Sequence, residues 1–271
     1  MHKKPKLGQN FLADENILRK IVAFIKPDST DVILEIGAGT GALTRQLATQ
    51  AGKLIAVEID RDLLPHLEVV PGITVVHQDI LELDLGQYSQ SGKLRIVGNL
   101  PYYISTPVLT GLIQQKDHVK DMILMFQEEV AQRILATPST SEYGYLSVLC
   151  QYFCRIEKGF RISRNCFRPI PEVESRILRF EFRPESRCRY DEYTALLRAA
   201  FSQRRKRLAK NLMSYPGASP DKISAAFSKL NIGENARAEN LPPAEFESLL
   251  IELSTNQGPS PEPRFPKSRI I

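Results

Sequence analysis

No run of apolar residues in this 271-residue sequence approaches the roughly 18 needed to cross a bilayer. The amino terminus, Met1 to Lys6, is basic, but Gly8-Gln9-Asn10 comes directly after it, so no signal-peptide hydrophobic stretch forms. These absences give the expectation of a soluble, cytoplasmic protein with no membrane partner. Cysteine is scarce as well. Cys150, Cys154, Cys166 and Cys188 match no zinc-ribbon spacing, and only 4 histidines could assist them, so no metal site is expected. Cys150 and Cys154 lie four residues apart in an apolar stretch, a helical spacing that suggests core packing.

What is present is ample apolar material: 42% of the residues are hydrophobic, enough for one large core and a smaller one. The net charge of +5 is unevenly spread. Arg155 to Lys210 carries 16 Lys and Arg against 7 Asp and Glu, leaving the remainder weakly acidic. One basic flank on an acidic body fits a polyanion bound on one side, and equally a solvated basic surface.

From Asp31 to Phe126, apolar runs alternate with helical patterns. Strands are expected at Val32 to Ile36, Leu54 to Ile59, Ile73 to His77, Leu94 to Val97 and Met122 to Phe126. Helices are expected at Ala42 to Ala51, Arg61 to Val69, and from Thr106 as N-cap with Pro107 at the first helical position to Gln115. Further helices fall at Glu128 to Ala136 and Tyr145 to Phe153. Two late β-rich runs, Arg155 to Ile162 and Arg176 to Phe182, could close the sheet's far edge as a hairpin-like pair. The fold class expected is α/β, a Rossmann-like, doubly wound, mostly parallel sheet. After Pro184 only helical patterns remain: Tyr190 to Phe201, Arg204 to Ser214, Asp221 to Leu230 and Pro243 to Leu253. The expected division is a catalytic domain over 1–185, a small all-helical domain over 186–254, and a Pro- and Ser-rich disordered tail over 255–271.

Glu35-Ile36-Gly37-Ala38-Gly39-Thr40-Gly41 ends the first of these strands, and its glycines allow a sharp turn and close approach to a ligand. Glu58 ends the next strand about twenty residues on, where an acid can bind ribose hydroxyls. Both features also fit a nucleotide-dependent dehydrogenase. The later strand ends separate the readings. Asp79 can accept a hydrogen bond from an adenine amine, and the Ile80 N–H can reach a ring nitrogen. Asn99-Leu100-Pro101-Tyr102 closes the fourth strand and is unexplained by a dehydrogenase. Each residue also has a plain structural reading, Asp79 as a cap and Asn99 as a turn residue.

The runs Leu7 to Leu12, Glu35 to Gly41, Glu58, Gln78-Asp79, Asn99 to Tyr102, Phe167-Arg168-Pro169-Ile170-Pro171 and Phe201 to Lys206 together resemble the KsgA-type small-subunit rRNA adenine dimethyltransferases. The resemblance covers about Lys6 to Leu253. It implies S-adenosyl-L-methionine as cofactor, held by Asn10, Leu12, Gly37, Gly39, Glu58, Asp79, Ile80 and Asn99. It implies transfer of methyl groups to the N6 amines of two adjacent adenines near the 3' end of small-subunit (16S) rRNA. The implied partners are that rRNA and the assembling 30S-type subunit, with the protein acting as a monomer. One departure is Glu172-Val173-Glu174, where the family usually has Lys-Val-Asp; it removes a positive charge near the base pocket.

The adenine N6 lone pair is delocalised into the ring, so the site must localise it and align nitrogen, methyl carbon and sulfur. The Asn99 side-chain oxygen and the Leu100 carbonyl are suited to accept the two N6–H bonds, and Pro101 stiffens the turn. Tyr102 can stack on the target base, and the resemblance assigns the opposite face to Phe167, whose plain alternative is a core aromatic; Tyr103 is expected to serve packing. Arg204-Arg205-Lys206-Arg207, with Lys210, is expected to begin a helix and contact phosphates, against the plainer reading of a solvated face; Lys3, Lys4 and Lys6 fit a second basic arm and equally a disordered terminus. Two alternatives share much of this pattern: a large-subunit rRNA adenine methyltransferase of the antibiotic-resistance type, and a non-catalytic ribosome assembly or RNA-binding factor.

Overall fold

The computed structural model describes residues 10–254, so the Lys3, Lys4 and Lys6 arm and the 255–271 tail lie outside it. The chain divides into two compact units, Met1–Ser186 and Arg187–Ile271.

The first unit is built on a seven-stranded sheet. Its parallel part comprises β2 (Val32–Ile36), β3 (Lys53–Glu58), β4 (Ile73–His77), β5 (Leu94–Asn99) and β6 (Val119–Gln127). β2 is buried at every position, as expected of a strand covered on both faces. The spatial order is β4-β3-β2-β5-β6, and then β9 (Ser175–Phe182) and β7 (Cys154–Ile162). β9 runs antiparallel to both β6 and β7, so the two late strands do close the far edge, with the later one inside. The chain winds from β2 outward to β4, then returns to place β5 on the other side of β2. Such a reversal opens a crevice beyond the carboxyl ends of the adjoining strands.

Helices α2 (Ala42–Ala48), α3 (Leu64–Glu68) and α4 (Ser105–Gln114) connect the parallel strands. α4 starts two residues earlier than expected. Thr106 is therefore inside the first turn and is not its cap; Ile104 holds that place, because a 3-10 turn over Tyr102–Ile104 feeds directly into the helix. After β6 come α5 (Glu128–Leu135) and α6 (Tyr145–Phe153), and Cys154 opens β7, so Cys150 and Cys154 are both buried but do not share a helix.

Two short pieces complete the unit. β1 (Phe11–Leu12) pairs antiparallel with β8 (Phe167–Arg168), bridging more than 150 residues of sequence. α1 (Glu15–Ile25) is capped by the Asp14 carboxylate, which accepts from the Asn16 and Ile17 N–H groups. It turns Leu18, Ile21, Val22 and Ile25 into the core.

The amino edge of the sheet carries a buried charge network. Arg95 reaches Asp31 at 2.6 Å and Asp121 at 2.9 Å, and it donates to the Ile25 and Lys26 carbonyls at the end of α1. Arg179 pairs with Asp121 at 3.0 Å and donates to the Phe24 carbonyl. At the opposite, carboxyl end of β6, Arg176 pairs with Glu128 at 3.0 Å. Part of the basic excess in Arg155 to Lys210 is thus spent inside the fold and is not on a surface.

The second unit is all helical: α7 (Tyr190–Ala200), α8 (Leu208–Leu212), α9 (Pro220–Leu230) and α10 (Pro243–Ser254). Its core is formed by Tyr193, Leu197, Leu208, Leu212, Phe246 and Leu250. The helix expected over Arg204 to Ser214 shrinks to α8. The Asn211 side chain donates to the Ala200 and Gln203 carbonyls at 2.6 and 3.0 Å, closing the end of α7. The Leu208 N–H is drawn to the Ala236 carbonyl at 2.7 Å. Arg204, Arg205 and Lys206 are consequently held in turns, exposed, and only Lys210 is helical.

Candidate active site

A cleft opens at the carboxyl edge of the parallel strands. It is lined by Asn10 and Phe11, Gly37 and Gly39 after β2, Glu58 and Ile59 at β3, Gln78, Asp79 and Ile80 after β4, and Asn99 to Ile104 after β5. Residues from four strand ends converge because all four strands point the same way.

The glycine turn is held open by backbone conformation. Gly37, Gly39 and Gly41 have φ of +66°, +58° and +79°, and a Cβ on Gly39 would sit 3.1 Å from the Phe11 ring. Glu58 organises this turn. One of its oxygens accepts from the Gly39 N–H at 2.8 Å, and the other from the Ile59 and Asp60 N–H groups, each at 2.9 Å. A carboxylate offers about four acceptor positions, so one is left for a hydroxyl in the cleft. Asp79 does cap the turn after it, with Oδ1 accepting from the Leu81 N–H at 2.9 Å. Its Oδ2 has no protein partner among the described residues. Ile80 opens a 3-10 turn, so its N–H has no acceptor within that turn.

Asn99 is the most tightly specified of these groups. Its Nδ2 donates to the Asn10 carbonyl at 3.0 Å, and a carbonyl can only accept. That bond fixes the amide so that Oδ1 is the free end. Leu100 is almost wholly buried but contributes to the cleft wall beside Pro101. The Tyr102 hydroxyl lies 2.9 Å from Ser175 Oγ, which holds the ring against β9, and burial pushes its phenol pKa up.

Two aromatic expectations need correction. Phe167 does not face the cleft. It is fully buried, packed in the core with Ile21, Ile25, Val97 and Ile177, because its strand pairs with β1 and turns it inward. Leu12, its partner in that pairing, also packs against this core and is absent from the cleft wall. Tyr103, expected in packing, is instead 62% exposed and lines the cleft. Neighbouring residues in a 3-10 turn point about 120° apart, so Tyr102 and Tyr103 cannot both turn inward. Phe11 carries no sequence signal of its own between Asn10 and Leu12, although its side chain covers Gly39.

Glu35 lies under the glycine turn. Its Oε2 and the Thr44 hydroxyl are buried with no hydrogen-bond partner among the described residues. Burial drives the Glu35 carboxyl from 4.5 up to about 8, opposed by the nearby Thr44 hydroxyl and reinforced by the Glu58 charge. A raised native pKa means that the folded state holds the proton more tightly. The resulting stabilisation is full below 4.5 and is lost as pH climbs through about 8. Glu35→Gln is therefore expected to flatten the decline of melting temperature over that interval and to leave the variant the more stable protein above it. Equal slopes for both proteins would remove Glu35 as the source.

Glycines that admit a ligand close to backbone, an acid at the second strand end, an acceptor with an adjacent N–H at the third, and an oriented amide at the fourth form a site for an adenosine-bearing cofactor beside an amine-binding corner. This is the arrangement of a methyltransferase. A family profile described as "Ribosomal RNA adenine dimethylase" matches residues 1–255. The chain is 40% identical over 265 residues to "Ribosomal RNA small subunit methyltransferase A" of Streptococcus pneumoniae serotype 2, covering 92% of this chain and 91% of that one. Among solved structures it is similar to a dimethyladenosine transferase from Plasmodium falciparum, with a TM-score of 0.79 and 28% identity, covering 90% of this chain and 98% of that one. It is also similar to the 23S rRNA methyltransferase ErmE, with a TM-score of 0.66 and 25% identity, covering 90% of this chain and 100% of that one. The chain belongs to the ribosomal RNA adenine dimethylase family. It is an S-adenosylmethionine-dependent methyltransferase with a Rossmann-like fold.

Proposed function

We propose that this protein transfers methyl groups to the N6 amines of two adjacent adenines in small-subunit rRNA, in the course of subunit assembly. The observation that carries the reading is the fixed Asn99 amide, whose free Oδ1 is an acceptor at the strand end that adjoins the cofactor cleft. Two N6–H bonds, one to Asn99 Oδ1 and one to the Leu100 carbonyl, favour a pyramidal nitrogen with its lone pair available. Pro101 stiffens the turn that presents both acceptors, and Tyr102 supplies a ring for the base to lie on. Gly37, Gly39, Glu58, Asp79, Ile80 and Asn10 are the residues suited to hold S-adenosylmethionine, with Leu12 acting behind them through Phe167. When bound, the cofactor supplies an electrophilic methyl group on a sulfonium. The chain's part is to align and to exclude water. The relatives named for the small subunit favour that target over the large subunit. Incubating the protein with labelled S-adenosylmethionine and small subunits that lack the modification, then mapping the label, tests this. Label on adenine N6 of that rRNA is expected, and its absence would overturn the proposal.

Within the helical unit, Arg205, Lys206, Arg207 and Lys210 border an open groove with an apolar floor that includes Ile223 and Phe227. We infer that this rim contacts rRNA phosphates. Arg204 pairs with Glu239 at 3.1 Å and stands apart from the groove. A combined Arg205→Ala, Lys206→Ala and Arg207→Ala variant should bind subunits more weakly, with a log–log salt slope reduced by about 0.7–0.9 per lost phosphate contact. An unchanged slope would make this a merely solvated surface.

A further inference from the structure

We propose that Tyr103 is a substrate-binding residue: its ring stacks on the nucleobase beside the target adenine, covering the face that base loses when its neighbour enters the cleft. The proposal rests on the reading of the protein as an RNA methyltransferase and names a contact within that site.

Three observations carry it. Tyr103 is among the few large apolar side chains left in solvent, at 62% exposure, and it lines the cleft. It makes no hydrogen bond, ion pair or ring contact among the described residues. The other aromatics near the cleft are already committed. The Tyr102 hydroxyl is tied to Ser175, the Phe11 ring lies against Gly39 in the glycine turn, and Phe167 is in the core. With the Tyr102 ring assigned to the target base, the mouth offers one further ring, that of Tyr103, to the substrate.

Position decides which base it meets. The reacting amine must reach Asn99 Oδ1 and the Leu100 carbonyl, so the target base goes inward, alongside Tyr102. Tyr103 is the next residue of the same 3-10 turn and is directed away from Tyr102, outward. What remains outside is the adjoining nucleotide of the same strand. Extruding a base breaks a stack on both partners, and the enzyme must offset that loss. An aromatic side chain does so without reading sequence, since every base has a π-face. With two adjacent adenines as targets, each can occupy the outer place while the other is inside.

The contact is remote from the reacting nitrogen and is the same before and at the transition state, so its loss belongs in KM. Tyr103→Ala is expected to raise KM for unmethylated small subunits about tenfold or more, the scale of one lost base–aromatic stack, while kcat at saturation stays within about twofold. Tyr103→Phe should restore KM; Tyr103→Leu, apolar but without a π-face, should not. Cofactor affinity by calorimetry and melting temperature should match wild type in all three variants. A KM for Tyr103→Ala within about twofold of wild type would overturn the proposal. A fall confined to kcat would overturn it too, by placing the ring at the reacting base. Full rescue by leucine would likewise overturn it. If the wild-type protein itself transferred no methyl group to these subunits, the functional reading would fall and this inference with it; an active wild type with an indifferent Tyr103→Ala sinks the inference alone.

Discussion

Replacing Asn99 by alanine is expected to slow single-turnover methyl transfer on bound small subunits by about 100-fold or more, the scale of losing one preorganised hydrogen-bond partner of a transition state. The amine is already neutral and needs no base. What it lacks is a localised lone pair, and an acceptor aligned with one N–H provides that only as the nitrogen becomes pyramidal. The effect therefore belongs in the chemical step. Subunit affinity should change little, since the side chain touches one atom pair of a large interface. Because Nδ2 also ties Asn10 in place, cofactor affinity should fall modestly as well. Rapid-quench measurement with saturating cofactor separates these contributions. A single-turnover rate near wild type under those conditions would remove Asn99 from the chemistry.

Phe167→Ala is expected to cost about 3–5 kcal/mol of stability, as for a phenylalanine removed from a packed core. The ring is fully buried, and its strand pairs with β1, which carries Phe11 into the cleft wall. Cofactor affinity and methylation should therefore decline together with melting temperature. Phe167→Leu, which retains much of the volume, should recover most of both. A base-stacking phenylalanine behaves in the opposite way: melting temperature and cofactor affinity hold while methylation collapses. That pattern, measured by thermal denaturation and calorimetry on the same preparation, would return Phe167 to the substrate.

The contrast between these residues shows how much of the site is legible in the sequence. The parallel strands announce themselves because burial on both faces demands an unbroken apolar run, as in Leu54 to Val57. The glycine turn and the polar groups at successive strand ends come with that alternation, so the cleft can be placed from the sequence. Phe167 cannot, because its environment is set by a two-residue pairing with a segment more than 150 positions away. Nothing in Phe167-Arg168-Pro169 distinguishes a ring facing a base from one facing Ile21. The stretch from Arg204 to Lys210 misleads for a related reason. Its residues tolerate a helix, but the Asn211 side chain closes α7 and holds the cations in turns. The tyrosine pair is decidable in principle: a 3-10 turn separates adjacent side chains too widely for both to be buried. The missing signal is the turn type itself, since Thr106-Pro107 imitates a helix start slightly displaced from the true one.

The arginine-rich knot at the amino edge of the sheet makes α1 a strut fastened at both ends. Arg95 and Arg179 clamp its last carbonyls, and at the other end, some 16 Å away by the rise of its 11 residues, the chain runs into Asn10 and Phe11 at the cleft. Lesions at Asp31 or Asp121 would loosen the anchorage without touching any group in the cleft. Among loss-of-function alleles, such changes should sort with those at Asn10, as defects in cofactor retention. The wall of the site is, mechanically, the near end of a strut whose far anchorage lies on the opposite rim of the sheet.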